Sequence, residues 1–249
     1  MEESLFIRLD GMGASYELNL QYRMNRVIMK LGNDLVYGGA LQCGNKIASE
    51  SCLVLSHPIN MSDECDWLKQ VLNCEINQSA VFCDTQQVPA PEISDKKGVI
   101  ENPVEAEIIS TIILTLLKAG IEAVDIGVIA PYRSQVKLLH SQLQKVKVQQ
   151  VEVNTVDQYQ GRDKKVIIIS FVRSYSDGSK SSRGALLDDV KRLNVAVTRA
   201  KVKLIMVGDI STLNRYTPCS TIITSIINTN QMIKLPKDAH IQHSTKMEV

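Results

Sequence analysis

Arg192 and Arg199 lie on one predicted helix with Ala196 between them, at spacings of four and three residues. Residues so spaced share a helical face, so both guanidiniums can point into one cleft, where they would serve either as ion pairs on a solvated surface or as a grip on an anion. The charge around them favours the anion: eleven basic and four acidic residues fall between Gln160 and Lys203, a local net of +7, which leaves −6 for the rest of the chain. Segregation of that kind points to a polyanionic partner. Upstream, Val153 to Asp163 runs from a predicted strand through a polar loop holding Gly161 and into a run of Val and Ile. Glycine there lets backbone amides approach a phosphate closely, or simply makes a tight turn. A third stretch, Leu18 to Asn25, sets Gln21, Tyr22 and Arg23 at the edge of a predicted helix. On its own that arginine reads as a solvated or ion-paired side chain.

The scaffold that must position these residues is large enough for a real core. The chain has 249 residues, 44% of them hydrophobic and 22% charged, which excludes a disordered tail. A net charge of +1 means that any nucleic-acid surface is local. The cysteines at 43, 52, 65, 74, 83 and 219 are never closer than nine residues, so no CxxC pair exists for zinc, an iron-sulfur cluster or a redox loop, and they read as thiols in a reducing compartment. With no long apolar run and an acidic start, the expectation is a soluble, intracellular protein with no membrane association.

Short apolar runs alternate with amphipathic stretches, the pattern of an α/β fold with a parallel sheet. Strands are predicted over Ala80 to Asp84, Asp125 to Ala130, Val151 to Thr155, Val166 to Val172 and Val202 to Val207. The fourth is almost wholly Val, Ile and Phe, which suits a central strand buried on both faces. Asn102, Pro103 and Glu105 read as N-cap, first-turn proline and capping-box acid of a helix ending at Gly120. Further helices are expected near Arg23 to Val36, Ser134 to Lys145 and Asp188 to Lys201. The chain reads as one domain over 1–235, with 38–103 an irregular insertion or connection, Tyr175 to Arg183 a surface loop, and 236–249 a frayed tail. His57, His140, His240 and His243 show no metal-ligand spacing, and no metal site is expected.

Taken in order, these stretches resemble the second motor domain of superfamily one helicases, the RecA-like half that follows the Walker-bearing half. Gln21-Tyr22-Arg23-Met24 is similar to the family's Q-Y-R-M motif, Ala130-Pro131-Tyr132-Arg133-Ser134-Gln135 to A-P-Y-R-x-Q, Thr155 to Asp163 to motif V, and Arg192 to Lys201 to motif VI. Val88-Pro-Ala-Pro-Glu92 and the Gln-Gly-Arg-Asp form of motif V resemble most the eukaryotic DNA replication ATP-dependent helicase/nucleases. The resemblance implies a RecA-like parallel sheet with helices on both faces, of the P-loop NTPase superfamily.

It further implies that ATP and Mg2+ lie between two such domains, with Arg23 and Arg199 reaching the triphosphate held by the first. Gln21, Tyr22, Gly161 and Arg192 would lie near the nucleotide, while Pro131, Tyr132, Arg133 and Thr155 would meet single-stranded DNA. Two departures stand out: relatives often continue as Met-His-Pro and carry a glutamate two residues after the motif V glycine, where this chain has Met24-Asn25-Arg26 and Asp163. The implied partners are single-stranded DNA, a Walker-bearing first motor domain in cis, and replication or repair proteins; the implied compartment is the nucleus, with the mitochondrion as a second.

No GxxxxGK[ST] loop is present, and Gly39 to Lys46 fails the pattern because Asn45 separates Gly44 from Lys46. Leu204 to Asp209 mimics a Walker B strand but follows motif VI, and reads as an ordinary sheet strand. Nuclease carboxylates and iron-sulfur cysteines are also missing, so that cluster would belong to the absent nuclease half. The leading expectation is a motor domain that alone neither binds ATP tightly nor hydrolyses it. Two others stay open: a non-enzymatic module binding single-stranded nucleic acid or protein, and an RNA helicase of the same superfamily.

Overall fold

A computed structural model describes residues 8–9, 11–13, 16–57, 66–94, 98–174 and 187–241. In chain order the elements are β1 (Leu20–Gln21), α1 (Arg26–Gly32) continued by a π-turn over Asn33–Tyr37, β2 (Gln42–Cys43), α2 (Lys46–Ser49), α3 (Asp66–Val71), β3 (Ala80–Asp84), β4 (Ile93–Ser94) and β5 (Ile100–Glu101). Then follow α4 (Pro103–Lys118), β6 (Ile126–Ala130), α5 (Arg133–Lys145), β7 (Glu152–Thr155), α6 (Val156–Tyr159), β8 (Lys164–Ser170), α7 (Val190–Val197), β9 (Ala200–Gly208), α8 (Ile210–Leu213), α9 (Thr217–Asn228) and β10 (Met232–Lys234). Six strands form one sheet in the order β10-β3-β9-β8-β6-β7, every neighbouring pair parallel.

The apolar runs Val166–Ile169 of β8 and Leu204–Val207 of β9 suit central strands, and their alternating side chains feed two cores. Val166 and Ile168 face one with Ile109, Ile112 and Leu139 from α4 and α5, whereas Ile167 and Ile169 face the other with Ile28, Leu193 and Ile223 from α1, α7 and α9. Helices thus cover both faces, as a RecA-like α/β fold requires. Among the described residues no helix is long and apolar enough to cross a membrane.

Several elements differ from the sequence reading. The helix expected over Asp188 to Lys201 ends at Val197, because Ala200 pairs with Lys164 and opens β9; sheet pairing overrides helical periodicity there. Residues 38–103 include β3, the second strand of the sheet, and α3 with Trp67 buried, so much of that stretch is built into the core. The Asn102 cap forms, accepting from Glu105 N at 3.0 Å, but the Glu105 side chain does not return to close a capping box. Asn102 N donates instead to Gln135 Oε1 at 2.8 Å. Packing continues past Leu235 to Ala239, buried in the same core. The loop expected over Tyr175 to Arg183 and the last eight residues, 242–249, lie outside the described residues, as do Cys65 and His243. The other five cysteines are free thiols.

Candidate functional site

The site is built at both ends of the sheet, beginning with the amino ends of β8 and β9. Gln21 turns its carboxamide inward: Oε1 accepts from Arg23 N at 2.8 Å and Met24 N at 2.9 Å, while Nε2 donates to Met24 O at 2.8 Å. That knot presents its neighbours outward. Tyr22 is exposed, its ring so close over Gly44 that a β-carbon there would lie 2.2 Å from Cζ. Arg23 Nε reaches Asp163 Oδ2 at 3.2 Å, and Lys201 Nζ holds the other oxygen at 2.7 Å.

Arg199 lies just beyond α7, its side chain folded back onto Val195 O at 3.0 Å and Arg162 O at 3.3 Å and only 9% exposed. Burial lowers its pKa, and the like charge of Arg23 lowers it further. Burial alone would raise Asp163, but the bonds and charges of Lys201 and Arg23 outweigh it and hold the carboxyl below its usual range. Three cations around one carboxylate leave an excess of positive charge, a setting that favours an anion. A groove of about 680 Å³ opens beside them, lined by Tyr22, Ile47, Val54 and Lys165 among others. Gly161 stands near the cluster with φ +84° and open space where a side chain would begin, so its amide is approachable.

Arg192 does not join this cluster. It pairs with Asp157 at 3.2 Å on α6 and with Asp189 at 3.8 Å, half-exposed on α7, because the early end of α7 breaks the common face expected for Arg192 and Arg199. Two members of the cluster, Asp163 and Lys201, received no role from the sequence; Asp163 was noted only as a departure in motif V, and the signal for Lys201 was its position two residues past Arg199.

At the carboxyl ends of the strands a second group assembles. Pro131, Tyr132 and Arg133 follow β6 directly into α5, and Arg133 is exposed. The Tyr132 hydroxyl accepts from Arg173 Nη1 at 3.1 Å, and that guanidinium carbon lies 5.9 Å from the ring centroid. Burial raises the Tyr132 pKa, with Arg173 opposing. Arg173 is fully buried and paired with Glu92 at 2.8 Å, which explains the acid of the Val88-Pro-Ala-Pro-Glu92 loop. Thr155 ends β7 and caps α6, its hydroxyl 3.2 Å from Gln158 Oε1. The seven residues of β8, about 23 Å of extended strand, run between the two ends of the sheet. The segment from Thr155 through α6 to Gly161 and Asp163 links the two ends. Among the described residues no group of three or more His, Cys, Asp or Glu is arranged to hold a metal ion. Asp209, the Walker B lookalike, is consumed as the cap of α8, accepting from Ser211 N at 2.9 Å.

The chain is similar in sequence to known proteins. A family described as the AAA domain matches residues 1–211. The DNA replication ATP-dependent helicase/nuclease DNA2 of Xenopus laevis is 45% identical over 249 residues, covering 96% of this chain and 23% of the relative. The Homo sapiens protein of the same name is 42% identical over 250 residues, with the same coverage. The Arabidopsis thaliana DNA replication ATP-dependent helicase/nuclease JHS1 is 46% identical over 198 residues, covering 80% of this chain and 14% of the relative. The chain thus spans less than a quarter of the length of the relatives it matches. With its parallel sheet, ordered motifs and matched length, the chain belongs to the AAA domain family, as a motor segment of the superfamily one helicase type.

Proposed function

We propose that this chain is the second motor segment of an ATP-dependent DNA helicase/nuclease, meeting nucleotide at the amino ends of its sheet and single-stranded DNA at the carboxyl ends. ATP and Mg2+ sit against a Walker-bearing motor domain in cis, and Arg23, Arg199 and Lys201 face the triphosphate. A guanidinium fixed where charge develops on the transferred phosphoryl group is worth about 10³ to 10⁵ in rate in related NTPases. The Gly161 amide faces the γ-phosphate, and Tyr22 stands at the groove beside it. On the other end Arg133 holds a backbone phosphate, Tyr132 offers a ring on which a base stacks, and Thr155 touches the backbone. Stacking tolerates any sequence, as a translocating motor needs. Alone, the chain does not hydrolyse ATP; the nuclease and its iron-sulfur cluster belong elsewhere in the longer protein, which works in the nucleus.

The observation that carries the reading is the placement of the Arg23, Lys201 and Asp163 cluster at one end of β8 and of Tyr132 and Arg133 at the other, with one short segment joining them. The test is fluorescence anisotropy of a labelled oligothymidylate on the 249-residue chain across a salt series. Binding that weakens with salt, with Arg133→Ala lowering both the affinity and the slope by about one ion, supports the reading. Salt-insensitive binding, or affinity untouched by Arg133→Ala, contradicts it. An RNA oligonucleotide binding more tightly than DNA would move the substrate to RNA.

A further inference from the structure

Beneath Tyr132 lies a buried polar network that the motor reading leaves unused. Arg173 N donates to Phe171 O at 2.8 Å, closing a three-residue turn on Val172, whose φ is +70°. Such a turn is rare and strained, and a β-branched residue resists it most, so something must hold it. Val172 is fully buried and both its peptide groups are clamped: its N–H donates to Glu105 Oε2 at 3.0 Å, and its carbonyl accepts from Asn102 Nδ2 at 3.1 Å. Ser170 Oγ donates to the same Glu105 oxygen at 2.6 Å and accepts from Gln135 Nε2 at 3.1 Å. Gln135 in turn brackets the Asn102 backbone, accepting from its N–H at 2.8 Å and donating to its carbonyl at 3.1 Å. Glu105 is fully buried, and its second oxygen has no hydrogen-bond partner among the described residues.

We propose that Glu105 is a positioning residue for the strand-contacting loop: its carboxyl clamps the Val172 turn, the turn folds Arg173 back beneath Tyr132, and Arg173 fixes the tyrosine ring. The clamp acts 27 positions along the chain from the ring that it steadies, through the end of β8 rather than by touching it. Its consequence for nucleic acid rests on the reading of Tyr132 as a stacking platform.

The test places 3-fluorotyrosine at position 132 of the 249-residue chain and follows its fluorine resonance beside oligothymidylate affinity. Glu105→Met, similar in size but with no acceptor, should move the resonance toward that of free fluorotyrosine and weaken binding on the order of 10-fold, as Tyr132→Ala should. Combining the two should weaken it no further. Adding Val172→Gly, which takes positive φ without strain, should restore both readouts in the Glu105→Met chain. Glu105→Gln, which keeps the acceptor, should leave both as in the parent. Should Glu105→Met fail to fold, Arg173→Met cuts the same linkage one residue later and should free the same resonance. A resonance unmoved by these variants, losses that multiply in the double variant, or no rescue by Val172→Gly would overturn the proposal. If the resonance moves while Tyr132→Ala leaves binding unchanged, the clamp stands and the stacking reading falls.

Discussion

Replacing Glu105 by Gln should flatten a large part of the pH dependence of stability. Burial pushes the Glu105 carboxyl from 4.5 up to about 8; the bonds from Ser170 and Val172 pull it down and the negative Asp209 and Glu92 push it up, without reversing the shift. The folded state therefore binds this proton more tightly than the unfolded chain, so stability contributed here is full in acid and is lost as pH rises from about 4.5 to about 8. With those two values, the loss between about pH 5 and pH 7 is about 2.5 kcal/mol. Glu105→Gln keeps the acceptor and cannot ionise, at a cost of about 1 to 3 kcal/mol for a buried amide N–H without a partner. Urea unfolding of both chains at several pH values between 5 and 8 isolates the effect, since other titrating groups cancel in the difference. The parent should be the more stable chain at pH 5 and lose that advantage steadily by pH 8. A difference independent of pH, or one that grows with pH, would refute the reasoning.

Gly127 in β6 allows Tyr159 to lie against the sheet: an added β-carbon would meet the Tyr159 hydroxyl at 2.0 Å and Ile167 Cδ1 at 2.9 Å. Gly127→Ala should cost about 1 to 3 kcal/mol, part of it recovered by adding Tyr159→Phe, as read by thermal melts; full independence of the two would argue against this contact. Asp163→Asn should change stability by less than about 1 kcal/mol, since both of its ion pairs are half-exposed. By removing the only anion in the described cluster it should tighten the binding of inorganic tripolyphosphate several-fold at low salt, measured by calorimetry, and weaker binding would count against the anion site.

The centre of the fold was legible because β6, β8 and β9 are almost uninterrupted apolar runs, and because Asn102 and Pro103 mark the start of α4. The edge was not: α9 and β10 went unread, although Ile222, Ile223 and Ile226 all bury. Among the site residues, Arg23 and Arg199 emerge near one carboxylate, but Arg192 was drawn to them by a helical spacing that the start of β9 cuts short. Gln21 bonds to its own loop and to Cys43 on β2, a matter of side-chain direction that residue type does not reveal. Glu105 was read only as a capping-box acid and Arg173 was not singled out, because their partners lie 67 and 41 positions away and no local pattern marks a side chain whose work is done across the sheet.

ATP hydrolysis by the purified 249-residue chain, with and without single-stranded DNA and with Arg199→Ala alongside, tests the central claim most directly. The chain has no GxxxxGK[ST] loop to cradle a triphosphate, so no hydrolysis above background is expected in either condition. Hydrolysis that single-stranded DNA stimulates and Arg199→Ala abolishes would contradict it, because the phosphates would then be held by residues of this chain itself.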